Sequence, residues 1–340
     1  MSDWSSDLEQ LIAGVSLEES RAASLMAALA ADTLPAAQAG AMLAALAAKG
    51  ETADEIRGFA REMRARAVRP ALVDREGAVD CVGTGGDGSG SFNLSTGASL
   101  LAAACGVPLI KHGNRSVSSK SGSADLLESL GVSLGDTPDA AAALYEATGF
   151  TFLFAPVYHS AMKAVVPIRK AMGVRTVFNI LGPLTNPAAP PFGVIGAYSE
   201  PVAELMAHAL SGLEMQRVFV VHGHNGWDEA TPISSFTLFD VRPGEVTRQE
   251  RAPEEYGLSR CDADALAGGD SAFNADGLMK VLDGTDSGAH RDALAMGVSL
   301  MLEVSGRVDD PKAGVRGALE CIENGTARAF LSTLREAGRG

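Results

Sequence analysis

A short apolar run, Val79-Asp80-Cys81-Val82, empties into Gly83-Thr84-Gly85-Gly86-Asp87-Gly88, a loop with almost no Cβ atoms. Glycine adopts left-handed backbone without steric cost and lets main-chain amides come close to an anion, so a strand feeding such a loop is compatible with few folds. A helix candidate begins near Ser95, directly after the loop. A strand, a glycine turn and an apolar helix form the repeating unit of an α/β sheet. The unit then recurs: Val107–Lys111 reads as a strand and runs into Lys111-His112-Gly113-Asn114-Arg115, followed by Ser116, Ser118 and Ser119. Cations, an amide and hydroxyls at the end of one strand, beside a glycine loop at the end of another, read together as a polyphosphate site.

The rest of the chain keeps this rhythm. Further strands are expected at Phe150–Phe154, Phe192–Ala197, Val218–His222 and Ser235–Val241, with helices beginning near Ser123, Pro138, Ser160, Glu200, Ser271, His290 and Pro311. Gly106, Gly131 and Gly149 fall where helices should stop, as glycines just past a helix end do. The pattern predicts a mostly parallel sheet, in which ligands bind at the carboxyl ends of strands. The Gly83 and Lys111 loops, with the Ala155–His159 and His222–Glu229 loops, all emerge at that end.

Before Val79 the character differs. Residues 5–69 are rich in Ala, Leu, Glu and Arg at helical spacing. Ser16-Leu-Glu-Glu19 and Thr52-Ala-Asp-Glu55 fit the capping box, and Thr33 with Pro35 predicts another helix start between them. The expectation is a helical domain over residues 1–70 and an α/β domain over residues 75–340. The segment Val166–Pro191, a basic helix followed by a Pro- and Asn-rich stretch, reads as a hinge or as an insertion returning to the helical domain.

Composition narrows the function. A net charge of −14 argues against broad binding to nucleic acid or anionic membranes, so an anionic ligand must be held by a local basic pocket. Cys81, Cys105, Cys261 and Cys321 are widely spaced without a CxxC, which favours reduced, buried thiols over a disulfide framework or a zinc site. The start MSDWSSDLEQ lacks a basic region followed by an apolar one, and no stretch has the apolar length of a membrane span. A cytoplasmic location is expected.

Each motif admits a plain reading beside the functional one. GTGGDGSG alone is equally a tight strand-to-helix turn, and it lacks the Gly-Lys-Ser/Thr ending of a P-loop. Asp87 within it, and Phe92-Asn93-Leu94-Ser95-Thr96 after it, tilt the reading: a helix amino terminus holds anions, and hydroxyls there serve phosphate or magnesium. Lys111 and Arg115 are either surface charges or phosphate partners, and Ser118-Ser119 either caps a helix or contacts phosphate. Asp228-Glu229, after His222-Gly223-His224-Asn225-Gly226-Trp227, is either a solvated pair or the carboxylates that magnesium takes alongside phosphate oxygens. His208 reads as a helix-surface residue and His290 as part of a helix start, while His112 and His159 fall in the expected cleft.

The motifs taken in order, GTGGDG with FNLST, KHGNRSVSS with GSADLLESLGV, FLFAPVYHSAMKAVVPIRKAMGVRTVFNILGPLTNP, and VVHGHNGWDE, resemble the anthranilate phosphoribosyltransferases of tryptophan biosynthesis across nearly the whole chain. The resemblance implies the nucleoside phosphorylase/phosphoribosyltransferase fold: a small helical domain joined to a larger α/β domain, in a homodimer, with substrates meeting between the domains. It implies transfer of phosphoribosyl from phosphoribosyl pyrophosphate to the amine of anthranilate. By that similarity Gly83, Gly86, Asp87, Ser91, Asn93, Leu94, Ser95, Thr96, Lys111, His112, Gly113, Asn114, Arg115, Ser118, Ser119 and Ser123 hold the donor. Gly83, Asn114 and Arg169 contact anthranilate, and Ser95, Asp228 and Glu229 hold magnesium, two ions per active site. A planar, permanently charged guanidinium at Arg169 suits an aromatic carboxylate.

The chain departs from the family pattern at Arg291–Gly297, which lacks an asparagine-alanine step, and at Trp227, which stands where a smaller apolar residue is usual. Neither touches the implied donor site. Two rival readings remain at this level: a pyrimidine-nucleoside phosphorylase of the same fold, which would need neither KHGNR nor the acidic pair, and a non-enzymatic relative that binds nucleic acid, which the net charge opposes.

Overall fold

The computed structural model describes residues 4–116 and 120–338. Four helices come first: α1 (Trp4–Ile12), α2 (Glu19–Ala30), α3 (Ala36–Lys49) and α4 (Ala53–Arg66). The capping box at Thr52 forms as expected: the Glu55 amide donates to Thr52 Oγ1 at 3.3 Å, and the Thr52 amide to Glu55 Oε2 at 2.8 Å. The other two expected caps do not form. Helix α2 starts from Glu18 with no side-chain cap, because the Ser16 hydroxyl accepts from Lys49 Nζ at 3.1 Å, a lysine that also pairs with the buried Glu55. Helix α3 starts from Pro35, and Thr33 instead donates back to the Ala28 carbonyl at the end of α2.

The α/β part runs β1 (Val79–Gly83), α5 (Leu94–Ala104), β2 (Leu109–Gly113), α6 (Ser123–Ser129), α7 (Pro138–Thr148), β3 (Phe150–Phe154), α8 (Ala155–Tyr158), α9 (Val166–Met172), α10 (Phe178–Leu181), β4 (Phe192–Gly196) and α11 (Glu200–Leu210). It continues through β5 (Arg217–Gly223), β6 (Phe236–Arg242), β7 (Glu245–Arg251), α12 (Ser271–Leu282), α13 (Ala289–Val304), α14 (Pro311–Glu323) and α15 (Thr326–Ala337). The strands form one sheet in the order β3-β2-β1-β4-β5-β6-β7. Strands β1 to β5 are parallel, and β6 and β7 are antiparallel additions at one edge. Gly106, Gly131 and Gly149 all sit in the left-handed region that ends a helix.

Both faces of the sheet are covered, as parallel sheets require. Successive side chains along β5 serve opposite faces: Phe219 and Val221 join a core with α5 and α12 to α15, while Val218 and Val220 join one with α1 to α4 and α11. The second core also takes in Val165, Val177, Phe178, Ile180, Leu181 and Leu184, so the segment between β3 and β4 packs with the helices of the first 66 residues. The strand order reverses at β1, which has β2 on one side and β4 on the other, the switch point at which open α/β sheets bind ligands. Trp227 and Met296 are buried in the first core, so the two departures from the family pattern are packing residues.

Candidate active site

The Gly83 loop is held open by its own contacts. Gly85, Gly86, Gly88 and Gly90 all have φ between +60° and +74°, where side-chain-bearing residues are strained. Asp87 gathers the loop: its Oδ1 accepts from the Ser89 amide at 3.0 Å and the Ser89 hydroxyl at 2.9 Å, and Ser89 Oγ lies within hydrogen-bond reach of Ser91 Oγ at 3.1 Å. Asp228 joins it directly, taking the Gly85 amide at 2.6 Å on Oδ2 while its own amide donates to Asp87 Oδ2 at 3.1 Å. The acidic pair therefore lies on the glycine loop, not across a cleft from it. A Cβ at Gly83 would stand 2.3 Å from Asp228 Oδ2, and one at Gly196 only 1.6 Å from the Asp228 carbonyl oxygen, so Asp228 is seated by two glycines facing each other in register at the ends of β1 and β4.

Beyond the loop, Asn93 precedes α5, and the structure places Ser95, Asp228 and Glu229 around one pocket with Cys81, Val82 and Gly196. Leu94 turns its side chain into the core, so only its backbone is left to serve a polar ligand. Thr96 is 1% exposed and its hydroxyl has no partner among the described residues.

The second arm is organised differently. Lys111 is fully buried and donates to the Cys81 carbonyl, beneath the loop and not out in solvent. Gly113 ends β2 where a Cβ would meet the Phe152 ring at 2.8 Å. Asn114 is exposed and caps the Arg115 amide at 2.7 Å. Arg115 is committed to acids of α6, pairing with Asp125 at 3.2 Å and with Glu128. Asp125 also accepts the Ser116 amide at 3.1 Å and the Gly122 amide at 2.8 Å, which ties these two residues to the start of α6. Ser118 and Ser119 lie outside the described residues. Ser123 starts α6 beside Gly113.

Arg169 sits on α9 with its guanidinium 5.3 Å from the centre of the Phe178 ring, and among the described residues it has no carboxylate partner. Partial burial lowers its pKa from the usual arginine value. His112 and His159 meet edge to face at 5.2 Å. The His112 Nδ1 lies 3.2 Å from the Gly182 carbonyl, which can only accept, so Nδ1 carries the proton and the buried Nε2 is a bare lone pair. Burial, with His159 alongside, pushes His112 down to about 3, so it enters the site neutral. His208 is exposed on α11, and His290 near the start of α13 stacks on Phe92 at 4.4 Å, both outside the cleft.

The electrostatics ask for a cation. Burial, reinforced by Asp87, pushes Asp228 up, and burial with Asp228 beside it pushes Glu229 up; Lys111 and the Ser95 amide act in the opposite direction on Glu229. No three His, Cys, Asp or Glu side chains among the described residues form a closed metal cage. Two crowded carboxylates lining one pocket with Ser95 are an oxygen donor set of the kind magnesium takes, whereas zinc would want a closed set of nitrogen and sulfur ligands. The residues present therefore fit magnesium.

The sequence missed the supports. Asp80 is buried under the second arm, accepting the His112 amide at 3.1 Å and Asn186 Nδ2 at 2.9 Å, and burial pushes its pKa up to about 6 against the pull of Lys111. Gly196 and Asn186 stood in quoted or strand-like runs, but their partners lie in distant segments, so no local spacing marks them. The four cysteines are free, and no helix among the described residues is long and apolar enough to cross a membrane.

Comparison with known proteins accords with this geometry. Residues 75–328 match the glycosyl transferase family α/β domain, and residues 7–67 its helical bundle domain. An anthranilate phosphoribosyltransferase from Desulforudis audaxviator is 45% identical over 97% of this chain and 94% of its own length. The crystal structure of an anthranilate phosphoribosyltransferase from Thermus thermophilus superposes with a TM-score of 0.90 at 42% identity, covering 98% of this chain and 99% of that one. The Saccharomyces cerevisiae enzyme in complex with PRPP and Mg superposes at 0.84 and 28% identity, covering 94% and 93%. With both of its segments matched and near-complete coverage in each direction, the chain belongs to the anthranilate phosphoribosyltransferase family.

Proposed function

We propose that this protein transfers the phosphoribosyl group of 5-phosphoribosyl 1-pyrophosphate to the amine of anthranilate, giving N-(5-phosphoribosyl)anthranilate and pyrophosphate, a step of L-tryptophan biosynthesis. The observation that carries this reading is the seating of Asp228 on the Gly85 amide, which joins the acidic pair to the glycine loop at the sheet's switch point. The donor occupies the two arms: Gly83, Gly86, Asp87, Ser91, Asn93, Leu94, Ser95 and Thr96 on one, and Lys111, His112, Gly113, Asn114, Arg115, Ser118, Ser119 and Ser123 on the other. Gly83, Asn114 and Arg169 take anthranilate, with Arg169 on its carboxylate. Asp228, Glu229 and Ser95 would hold magnesium, two ions per site, whose contribution is to neutralise charge on the departing pyrophosphate.

The protein's own task is then positioning. The anthranilate nitrogen forms a bond to the anomeric carbon as the carbon–oxygen bond to pyrophosphate breaks, the electron pair leaving with pyrophosphate and an amine proton passing to solvent. An aromatic amine is neutral at pH 7, so no strong general base is required. Orientation by the two arms, the charge of Lys111 and the loop amides supply the acceleration. A homodimer, a cytoplasmic location, and a division into residues 1–70 with 166–190 and residues 75–340 complete the proposal.

The test is turnover by the purified protein. It is expected to consume anthranilate only with phosphoribosyl pyrophosphate and magnesium, to stop on chelation, to leave thymidine plus phosphate untouched, and to bind DNA weakly at moderate salt. Thymidine cleavage without anthranilate turnover would instead make it a phosphorylase.

A further inference from the structure

The segment from Leu266 to Asn274 straps the glycine loop from outside. The Phe92 amide donates to the Leu266 carbonyl at 2.9 Å, the Gly268 amide donates to the Gly90 carbonyl at 2.8 Å, and Ser91 bridges Ala267. The strap ends on Asn274, 1% exposed, whose Nδ2 donates to Asn93 Oδ1 at 2.7 Å. Asn93 in turn accepts from Ser121 Oγ at 3.0 Å and donates to the Ser121 carbonyl at 3.1 Å, so its amide ties the first arm to the second.

The orientation of both amides follows from their backbone partners. The Gly269 amide, which can only donate, meets Asn274 Oδ1 at 2.8 Å. Asn274 must therefore present its NH2 to Asn93, and Asn93 must present its carbonyl oxygen in return. The Ser121 carbonyl, which can only accept, demands the same orientation of Asn93 from the other side. The Asn93 oxygen is then saturated by two donors, and one N–H of its amide remains uncommitted among the described residues. That N–H is a donor available to an anionic or hydroxyl oxygen, and the reversed amide would offer a carbonyl that repels one.

We propose that Asn274 is a positioning residue for donor binding: together with the Ser121 carbonyl it holds the Asn93 amide in the orientation that makes Asn93 a hydrogen-bond donor to an oxygen of the phosphoribosyl pyrophosphate. The proposal rests on the reading that Asn93 belongs to the donor site.

Asn274→Asp tests it. The ionised carboxylate still accepts from Gly269 but cannot donate to Asn93, and its charge repels the Asn93 oxygen and draws the Asn93 NH2 away from the donor, opposing the Ser121 carbonyl that alone still holds the amide in place. At pH about 8 the KM for phosphoribosyl pyrophosphate is expected to rise about tenfold, with kcat and the anthranilate KM little changed. As the pH is lowered toward about 5.5, the protonated carboxyl regains a donor, and the ratio of mutant to wild-type KM is expected to return toward one, since burial raises such a carboxyl's pKa. A donor KM equal to wild type, a ratio that does not vary with pH, or equal losses for both substrates would overturn the proposal. Asn274→Ala covers the case in which the aspartate variant does not fold: a rise confined to the donor KM and independent of pH supports the assignment, and no rise overturns it. Asn93→Ala separates the two layers. An unchanged donor KM there removes Asn93 from the donor site, whereas a raised one beside an unaffected Asn274→Asp removes only Asn274.

Discussion

The two sides of the cleft are built to different standards. On the donor side, Asp87, Asp228, Asn93 and Lys111 are each bonded to neighbouring backbone or side chains of the protein itself. On the acceptor side, α9 buries none of its residues, and Arg169 rests on an aromatic face without a carboxylate partner among the described residues. Ordering side chains in advance lowers what must be ordered on binding, so the donor side is preorganised for a highly charged ligand that must be held in one geometry. The acceptor side offers a single charge-assisted contact to a small planar acid. Changes on the donor side should therefore cost catalysis and, where packed, stability, while changes on α9 should cost acceptor recognition alone.

The largest effect is expected from Asp228→Asn with Glu229→Gln. Neutralising both carboxylates removes the proposed magnesium ligands and should lower kcat on the order of a thousandfold, rescued only partly by excess magnesium. Circular dichroism should show an intact fold, and undiminished turnover at low magnesium would remove the pair from the metal site. Gly196→Ala comes next. Its Cβ would lie 1.6 Å from the Asp228 carbonyl oxygen, so backbone must move. A displacement of that kind should cost about a hundredfold in kcat/KM and about 1–3 kcal/mol in stability, read from kinetics and denaturant unfolding together. Arg169→Ala is the mildest. It should raise the anthranilate KM, costing about 2 kcal/mol or roughly thirtyfold in kcat/KM, while stability stays near wild type. A raised donor KM with an unchanged anthranilate KM would place Arg169 on the other side of the comparison.

How far the sequence could be read follows the same division between local and distant. The strands from Val79 to Val241 were legible because their apolar runs are bounded by glycine and helix signals, and each lies within two residues of its observed limits. Strand β7, EVTRQER, was not: it is an exposed edge strand of alternating partly buried and exposed residues, with no apolar run to mark it. Helix α15 also escaped, since it starts from a glycine without a side-chain cap and buries only Ala327, Leu331 and Leu334. The cap expected at Ser16 failed because a distant partner, Lys49, took its hydroxyl, and the one at Thr33 because its hydroxyl bonds back to Ala28 at the end of α2. In the site, residues contiguous with a glycine loop announced themselves. Asn186 and Asn274 did not, because their bonds span 106 and 181 positions and leave no trace in local spacing. Arg115 likewise pairs with Asp125 and Glu128 of α6, ten and thirteen positions away, which the run around it does not show.

Amide hydrogen exchange on the substrate-free protein addresses the contrast most directly. Protection tracks local opening, which is cheap where burial is slight and bonds are few. The Gly85, Ser89 and Asp228 amides, each bonded to an aspartate carboxylate, are expected to exchange markedly more slowly than the amides of α9. Adding phosphoribosyl pyrophosphate with magnesium should change the donor-side rates little, while anthranilate added to that complex should slow exchange in α9. Rapid exchange throughout the glycine loop until the donor is added, with α9 already protected, would contradict a donor side built in advance.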